Sequence, residues 1–361
     1  MVRRAGRIAT QRELWRYATR HRTEVPVDRG LSAGVERGRA SYREVGQAGG
    51  PPSYALENLM TNQAITPYIL AGVDGSPAAL HAVGWAADEA RKRGLPLLLA
   101  NVIETSGTEY GPAFGVSNSV YASMEKWGRE VLAAAEERVT TNYPSVRMST
   151  IQKTGAPAAE LITLSRDAHL TVVGANGLGG FSSVLLGTVA SAMVTDGHSP
   201  VAVIRRAGKA ENIPTTGPVV LGVDGNEDGE TAIAWAFDEA CRRGATLTAV
   251  HVWTAYPTGA AHVYAVAAGV DTRAEEEEHR ELLAERLAGW QEKYPDVAVR
   301  RVIAAGKATD VLLEHTADAQ LVVVGSRGHG EMTGILFGSV SRALIHHAPC
   351  PVLVARERGR N

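Results

Sequence analysis

From Ala64 onward, short apolar runs alternate with stretches whose apolar residues recur at helical spacing. The runs are "YILAGVD", "LPLLLANVI", "VRMSTIQK", "LTVVGA" and "PVAVIRR", then "VVLGVD", "TLTAVHVW", "VAVRRVIAA", "LVVVGS" and "PVLVAR". They are nearly continuous in Val, Ile, Leu and Ala, which predicts strands buried on both faces, as in a parallel sheet. Between them, "SPAALHAVGWAADEARKR" and "DTRAEEEEHRELLAERLAGWQEKY" read as helices. The second carries a Thr272/Glu275 capping box and Glu276→Arg280 support one turn apart. Strand alternating with helix, five strands at a time, predicts an α/β architecture. It consists of two tandem doubly wound, five-stranded parallel-sheet domains of Rossmann-like type.

The chain also repeats itself at a period of roughly 150 residues, a domain duplication rather than a solenoid. Asp74 pairs with Asp224, Trp85 with Trp235, and Asp88-Glu89-Ala90 with Asp238-Glu239-Ala240. The expected domains span 64–207 and 217–356, joined by a polar linker at 208–216 and followed by a tail at 357–361. The two halves are expected to pack about a pseudo-two-fold axis through their closing strands, because edges of this kind need cover.

Charge separates the first 60 residues from the rest. They hold 11 Arg, no Lys and 6 acids, against 26 basic and 33 acidic groups in the remainder. Residues 1–63 read as an Arg-rich, disordered extension. Met60 as the true start and a nucleic-acid arm are the other readings. The whole chain is 361 residues with formal net charge −2, which gives no sign of a nucleic-acid or membrane binder. Cys241 and Cys350 lie apart with no CxxC, no HxxxH or HxH pair occurs, and no apolar run is long enough to span a bilayer. A cytoplasmic protein with neither zinc site nor disulfide framework is expected.

The chemistry concentrates in a duplicated loop. "GANGLGGFSSVLLGT" (174–188) and "GSRGHGEMTGILFGS" (325–339) share two glycines three apart and, after nine intervening residues, Gly-Thr or Gly-Ser. Gly174, Gly177, Gly325 and Gly328 are expected to turn with positive φ and to let a ligand approach. Gly187-Thr188 and Gly338-Ser339 open helices whose free N–H groups suit an anion without any lysine. Neither copy is a Walker A loop, and the glycines follow the fourth strand rather than the first, so this is not the dinucleotide fingerprint.

With "VDG" after the first strand, this loop, and the closing "HHAPCPVLVAR", residues 64–356 resemble a tandem universal stress protein. The resemblance implies an adenine nucleotide alpha hydrolase-like fold and binding of ATP, with or without Mg²⁺, one per domain; some relatives bind cyclic AMP. It places Gly72, Asp74, Gly222 and Asp224 by adenine and ribose, and the main chains of Val102 and Val252 at the adenine edge. Gly174, Ala175, Asn176, Gly177, Leu178, Gly179 and Gly180 would wrap ribose and phosphates in the first half. Gly325, Ser326, Arg327, Gly328, His329, Gly330 and Glu331 would do so in the second. Gly187, Thr188 and Val189, and Gly338, Ser339, Val340 and Ser341, would cap the phosphate end. The first copy departs from the pattern: Asn176 stands where the second has Arg327, and Ala190 where Ser341 offers a hydroxyl.

The residues admit other readings as well. Asp74 and Asp224 would equally suit a helix-capping turn. Trp85 and Trp235 read as core, and Cys350 as an inert thiol in a buried strand. The stretches 105–119 and 254–270 read as long loops with a lid or contact role, or as disorder. No nucleophile–base pair or paired carboxylates are evident, so no catalytic residue is assigned. An ATP-binding regulator of stress response or dormancy is expected, working through protein partners and with a homodimer as an option. A cyclic AMP-binding or nucleotide-free scaffold and a weak ATPase or phosphotransferase are the rival readings.

Overall fold

The computed structural model describes residues 66–104, 118–178, 186–205, 213–225, 229–253, 273–326 and 338–357. The expected extension at 1–63, the capping residue Thr272 and most of the stretches 105–119 and 254–270 lie outside them. In the first half the strands are β1 (Tyr68–Gly72), β2 (Leu97–Glu104), β3 (Met148–Gly155), β4 (Ala168–Gly174) and β5 (Val201–Ile204). In the second they are β6 (Val219–Val223), β7 (Leu247–Trp253), β8 (Val299–Ala305), β9 (Leu321–Gly325) and β10 (Val352–Ala355). Interleaved are the helices α1 (Pro77–Arg93), α2 (Asn118–Asn142), α3 (Pro157–Leu164) and α4 (Thr188–Asp196). Their counterparts are α5 (Glu230–Arg243), α6 (Arg273–Lys293), α7 (Ala308–Thr316) and α8 (Ser339–His347). Helix α2 begins at Asn118, inside the stretch that the sequence reads as a loop.

All ten strands form one sheet, ordered β3-β2-β1-β4-β5-β10-β9-β6-β7-β8. Pairing is parallel within each half and antiparallel only where β5 meets β10, with Ala202 opposite Leu353. The closing strands therefore do join the halves, and both of their edges are covered. Strand order reverses between β1 and β4, and again between β6 and β9. Helices α1, α2, α5 and α6 cover one face of the sheet and α3, α4, α7 and α8 the other. Along β1, Ile69 and Ala71 pack to the first layer and Leu70 to the second, which is why the run shows no polar alternation.

Helix α1 illustrates how local signals set boundaries. Ser76 caps it, its Oγ accepting the Ala79 N–H at 3.1 Å, and Pro77 occupies the first position. Gly94 ends it in the left-handed region, after Arg91, Lys92 and Arg93 in the last turn. The Glu276–Arg280 pair on α6 forms at 2.7 Å.

The ends of α1 and α5 meet across the seam. Glu89 and Glu239 are fully buried, and the Arg93 and Arg243 side chains are only 4% exposed. Arg93 pairs with Glu89 in its own half and with Glu239 and Asp238 in the other; Arg243 pairs with Glu239 and, across the seam, with Glu89. Each guanidinium also lies over the other half's indole, Arg93 4.6 Å from the Trp235 ring centre and Arg243 5.5 Å from that of Trp85. Burial, and after it the neighbouring Glu239, push the Glu89 carboxyl above its ordinary value against the pull of both arginines. Trp85 is buried as expected, whereas Trp235 is half-buried beneath Arg93.

Candidate functional site

The reversals in strand order open a crevice at the carboxyl ends of the strands in each half, the place where doubly wound sheets take ligands. In the first half β1 delivers Asp74 to this crevice and β4 delivers the glycine loop. Asp74 spans the two. Its Oδ1 accepts the Ser76 N–H at 2.9 Å, and its Oδ2 accepts the Leu178 N–H at 3.1 Å. Helix capping falls to Ser76, so the aspartate is not the cap. Its second oxygen ties the turn after β1 to the loop after β4.

The glycines earn their places sterically, which corrects the expectation of positive φ at Gly174 and Gly177. Neither lies in the left-handed region. A Cβ on Gly174 would stand 2.8 Å from the Ala78 carbonyl carbon and 2.9 Å from the Ala79 nitrogen, so this glycine lets β4 press against the start of α1. A Cβ on Gly177 would stand 2.6 Å from Asp74 Oδ2. The left-handed turns belong instead to Gly75 and Gly225, both at φ 82°, directly after the two aspartates. The repeated "VDG" carried that signal, and the sequence reading used only its first residues. Gly72 and Gly222 face leucines of α3 and α7: a Cβ at either would come within 3.1 Å of Leu161 Cδ1 or 3.3 Å of Leu312 Cδ1.

The loop closes the same way in both halves. The Ala175 N–H donates to Ile204 O at 2.8 Å, and the Gly187 N–H returns to Ala175 O at 2.7 Å. In the second half the Ser326 N–H donates to Ala355 O at 3.0 Å and the Gly338 N–H returns to Ser326 O at 3.2 Å. Helices α4 and α8 thus start beside the ends of β4 and β9. Neither Gly187 nor Gly338 supplies a side-chain cap to the first-turn N–H groups. Thr188 and Ser339 are exposed at the first helical position; Val189 and Val340 are half-buried behind them.

Val102 and Val252 lie where β2 and β7 overhang their inner neighbours. Gly72 at the end of β1 faces Ala100, two residues short of Val102, and Val223 at the end of β6 faces His251, one short of Val252. Asn176 is half-buried, and its carbonyl lies 3.4 Å from Ser76 Oγ. Asp224 stands at the position matching Asp74, with a Cβ on Gly229 3.2 Å from its Oδ1. Gly179, Gly180, Arg327, Gly328, His329, Gly330 and Glu331 lie outside the described residues, as does any contact they make.

One expected donor is engaged elsewhere. Ser341 is buried, and its hydroxyl donates to Gly325 O at 2.8 Å rather than toward the crevice. Ala190, buried at the matching position, has no hydroxyl to make this bond. Sequence reading also missed two residues beneath the crevice, Asn101 and His251, which hold the carbonyls of Val73 and Val223.

Cys350 is buried just before β10, not within it, and burial pushes its thiol up to about 12; Cys241 is exposed. Among the described residues no helix is long and apolar enough to cross a membrane.

Comparison with known proteins agrees with this architecture. The universal stress protein family matches residues 68–205 and again 215–356. A universal stress protein of Mycobacterium tuberculosis is 37% identical over 292 residues, covering 80% of this chain and 97% of that protein. One from Mycolicibacterium smegmatis is 38% identical over 300 residues, covering 82% and 99%. The crystal structure of a universal stress protein from Archaeoglobus fulgidus superposes with a TM-score of 0.60 at 19% identity, covering 81% of this chain and 97% of its own. The chain, through both of its repeats, belongs to the universal stress protein family.

Proposed function

We propose that each half binds an adenine nucleotide at the carboxyl edge of its sheet, that the nucleotide is ATP, and that the bound state governs a stress or dormancy response through protein partners. The observation that carries this reading is the Asp74 bridge. One carboxylate holds two loops at the point where strand order reverses, beside a helix that begins without a side-chain cap. The residues suit such a ligand. Gly177 keeps the space beside Asp74 free of a Cβ, and the open first turn of α4 supplies N–H groups and a partial positive charge for phosphate. Asp74 and Asp224 would take ribose hydroxyls, the main chains of Val102 and Val252 the adenine edge, and Thr188 and Ser339 the phosphates. Mg²⁺, when present, would neutralise phosphate charge.

The proposed role is binding rather than turnover, because among the described residues the crevice presents a positioning carboxylate and backbone donors without a paired general base. Mass spectrometry of the ligand released by denaturing freshly purified protein tests the reading. ATP or ADP at up to two per chain is the expected result. Cyclic AMP alone, or no nucleotide together with no uptake of ATP in calorimetry, overturns it.

A further inference from the structure

Beneath each crevice, on the face covered by α2 or α6, a side chain from the neighbouring strand grips the carbonyl that precedes the aspartate. In the first half Asn101 Nδ2 donates to Val73 O at 2.8 Å. In the second His251 Nδ1 lies 2.9 Å from Val223 O. Both side chains are buried, at 2% and 4% exposure. A carbonyl only accepts, so His251 Nδ1 carries a hydrogen and its Nε2 is left as an acceptor. His279 Nδ1 lies 3.0 Å from that Nε2 and must donate to it. The result is a directed chain, His279 to His251 to the Val223 carbonyl, ending one residue before Asp224.

The first half has no counterpart to this chain. Cβ atoms built on Gly75 and Gly225 meet Val131 and Leu282 respectively, which fixes the match between α2 and α6. Three residues before each stand Gly128 and His279. A Cβ on Gly128 would collide with the Gln152 amide and stand 2.5 Å from Asn101 Oδ1, so amides fill the space that imidazoles fill in the second half. At the register of Gln152, opposite Asn101, the second half has Ile303 opposite His251. Imidazole is the side chain that ordinarily changes charge between about pH 5 and 8, and amides do not titrate there.

We propose that His251, with His279 behind it, is the positioning residue of the second site, and that the pair makes nucleotide binding there tighten in acid while the first site lacks this response. The inference rests on the nucleotide-binding reading above. A proton added to the pair goes to His279 Nε2, because the other ring positions are committed to the chain. The imidazolium then lies stacked on Trp253, ring centres 5.0 Å apart and planes 27° apart, a favourable cation–π arrangement. Its charge strengthens donation along the chain to the Val223 carbonyl, firming the turn that carries Asp224. It also places a cation behind a site that receives an anion. Both effects have the same sign. Among the described residues, the acids one turn before His279 on α6 are Glu275 and Glu276, with Glu276 engaged by Arg280 at 2.7 Å. Arg286 on α6 donates to Gly225 O at 3.0 Å, and Asp224 follows Val223 at the end of β6.

The test is calorimetric titration of the full chain with ATP at pH 7.5 and 5.5, one site at a time. Gly177→Val isolates the second site and Asp224→Ala the first. Dividing one site's change by the other's removes the ligand's own protonation. The second site should gain about threefold or more relative to the first, the size of a charge acting at a helix end or strand end in partial solvent. His279→Gly and His251→Asn, each installing the first half's residue, should remove that gain. His251→Leu, which donates nothing, should weaken second-site binding at both pH values. Equal pH responses at the two sites, or a gain that survives His279→Gly, overturn the proposal. Absence of ATP binding at either site and either pH is a distinct result; it overturns the nucleotide reading and this inference with it.

Discussion

At the seam between the halves, matched positions hold matched residues: Glu89 with Glu239, Arg93 with Arg243, Trp85 with Trp235. A few ångströms from the crevices the matching lapses, with Asn101 against His251, Gly128 against His279 and Ala190 against Ser341. The difference follows from geometry. A seam residue on a pseudo-two-fold axis touches its own copy or that copy's partner, so a change in one half leaves the other half's charge or ring unanswered. Asn101, His251, His279 and Ser341 hydrogen-bond within their own halves, which leaves each crevice free to be tuned alone.

The sharpest way to break this comparison is at the buried quartet. Arg93→Met removes the cation that faces Glu89, Glu239 and Asp238 together, and should lower unfolding free energy by about 3–5 kcal/mol, the range for uncompensating a buried pair. Arg243→Met should cost a similar amount, because it answers the same two glutamates. Denaturant melts with unchanged m-values would register both losses. If either substitution costs no more than a surface ion pair, roughly 1 kcal/mol or less, the quartet is not what holds the seam.

The second-largest effect belongs to one crevice alone. Gly177→Val displaces the Asp74 carboxylate from its bridge while leaving β4 and α1 untouched, since among the described residues Asp74 is the only group a Cβ there would meet. Nucleotide stoichiometry should fall from two to one per chain, with first-site affinity lowered about a hundredfold, or ~2.7 kcal/mol. Gly174→Val is the contrast. Its Cβ meets backbone rather than a movable side chain, so it should register as lost stability instead. A Gly177→Val protein that still binds two nucleotides would remove Asp74 from the site.

Much of this was legible in the sequence, for reasons that also explain what was not. Continuous aliphatic runs gave the parallel strands because both faces of the sheet are covered, and the repeat gave the closing pair β5 and β10. The duplicated "VDG" and glycine loops pointed to the crevices. Burial of Glu89 and the Arg93 side chain within "DEARKRG" was hidden, since charged residues at a helix end read as a solvated face until a second copy packs against them. The role of Gly174 is hidden in the sequence because a need for closeness and a need for positive φ leave the same letter. His251 and His279 stand 28 residues apart on different elements, and nothing in the spacing announces that they touch.

A smaller effect separates the halves inside the second layer. Thr171 and Ser199, both fully buried, share a hydrogen bond at 2.8 Å. The second half places Val322 and Cys350 there, an apolar pair of nearly the same shape, each buried as well. Thr171→Val alone strands the Ser199 hydroxyl and should cost about 1–3 kcal/mol. Adding Ser199→Cys, which copies the second half, should recover most of that loss, and a double-mutant cycle measures the recovery. Additive costs would mean the two hydroxyls do not act as a unit. The same substitution gives an independent readout: like Cys350, whose thiol burial holds near 12, the new cysteine should resist alkylation in the native protein while Cys241 reacts.

The smallest effect decides what Ser341 is for. Its hydroxyl donates to the Gly325 carbonyl, so Ser341→Ala should cost about 1 kcal/mol of stability, the net worth of one such bond. If instead the hydroxyl served the phosphate end, the loss would appear in nucleotide affinity at the second site, with the melting curve unmoved. The first half supplies the control. Ala190 is buried at the matching position, and Ala190→Ser places a hydroxyl one turn inside α4, facing the Gly174 end of β4. Gain of stability without gain of affinity from Ala190→Ser, mirrored by the reverse in Ser341→Ala, would assign the hydroxyl to the strand end in both halves and leave the helix N–H groups as the donors at that end.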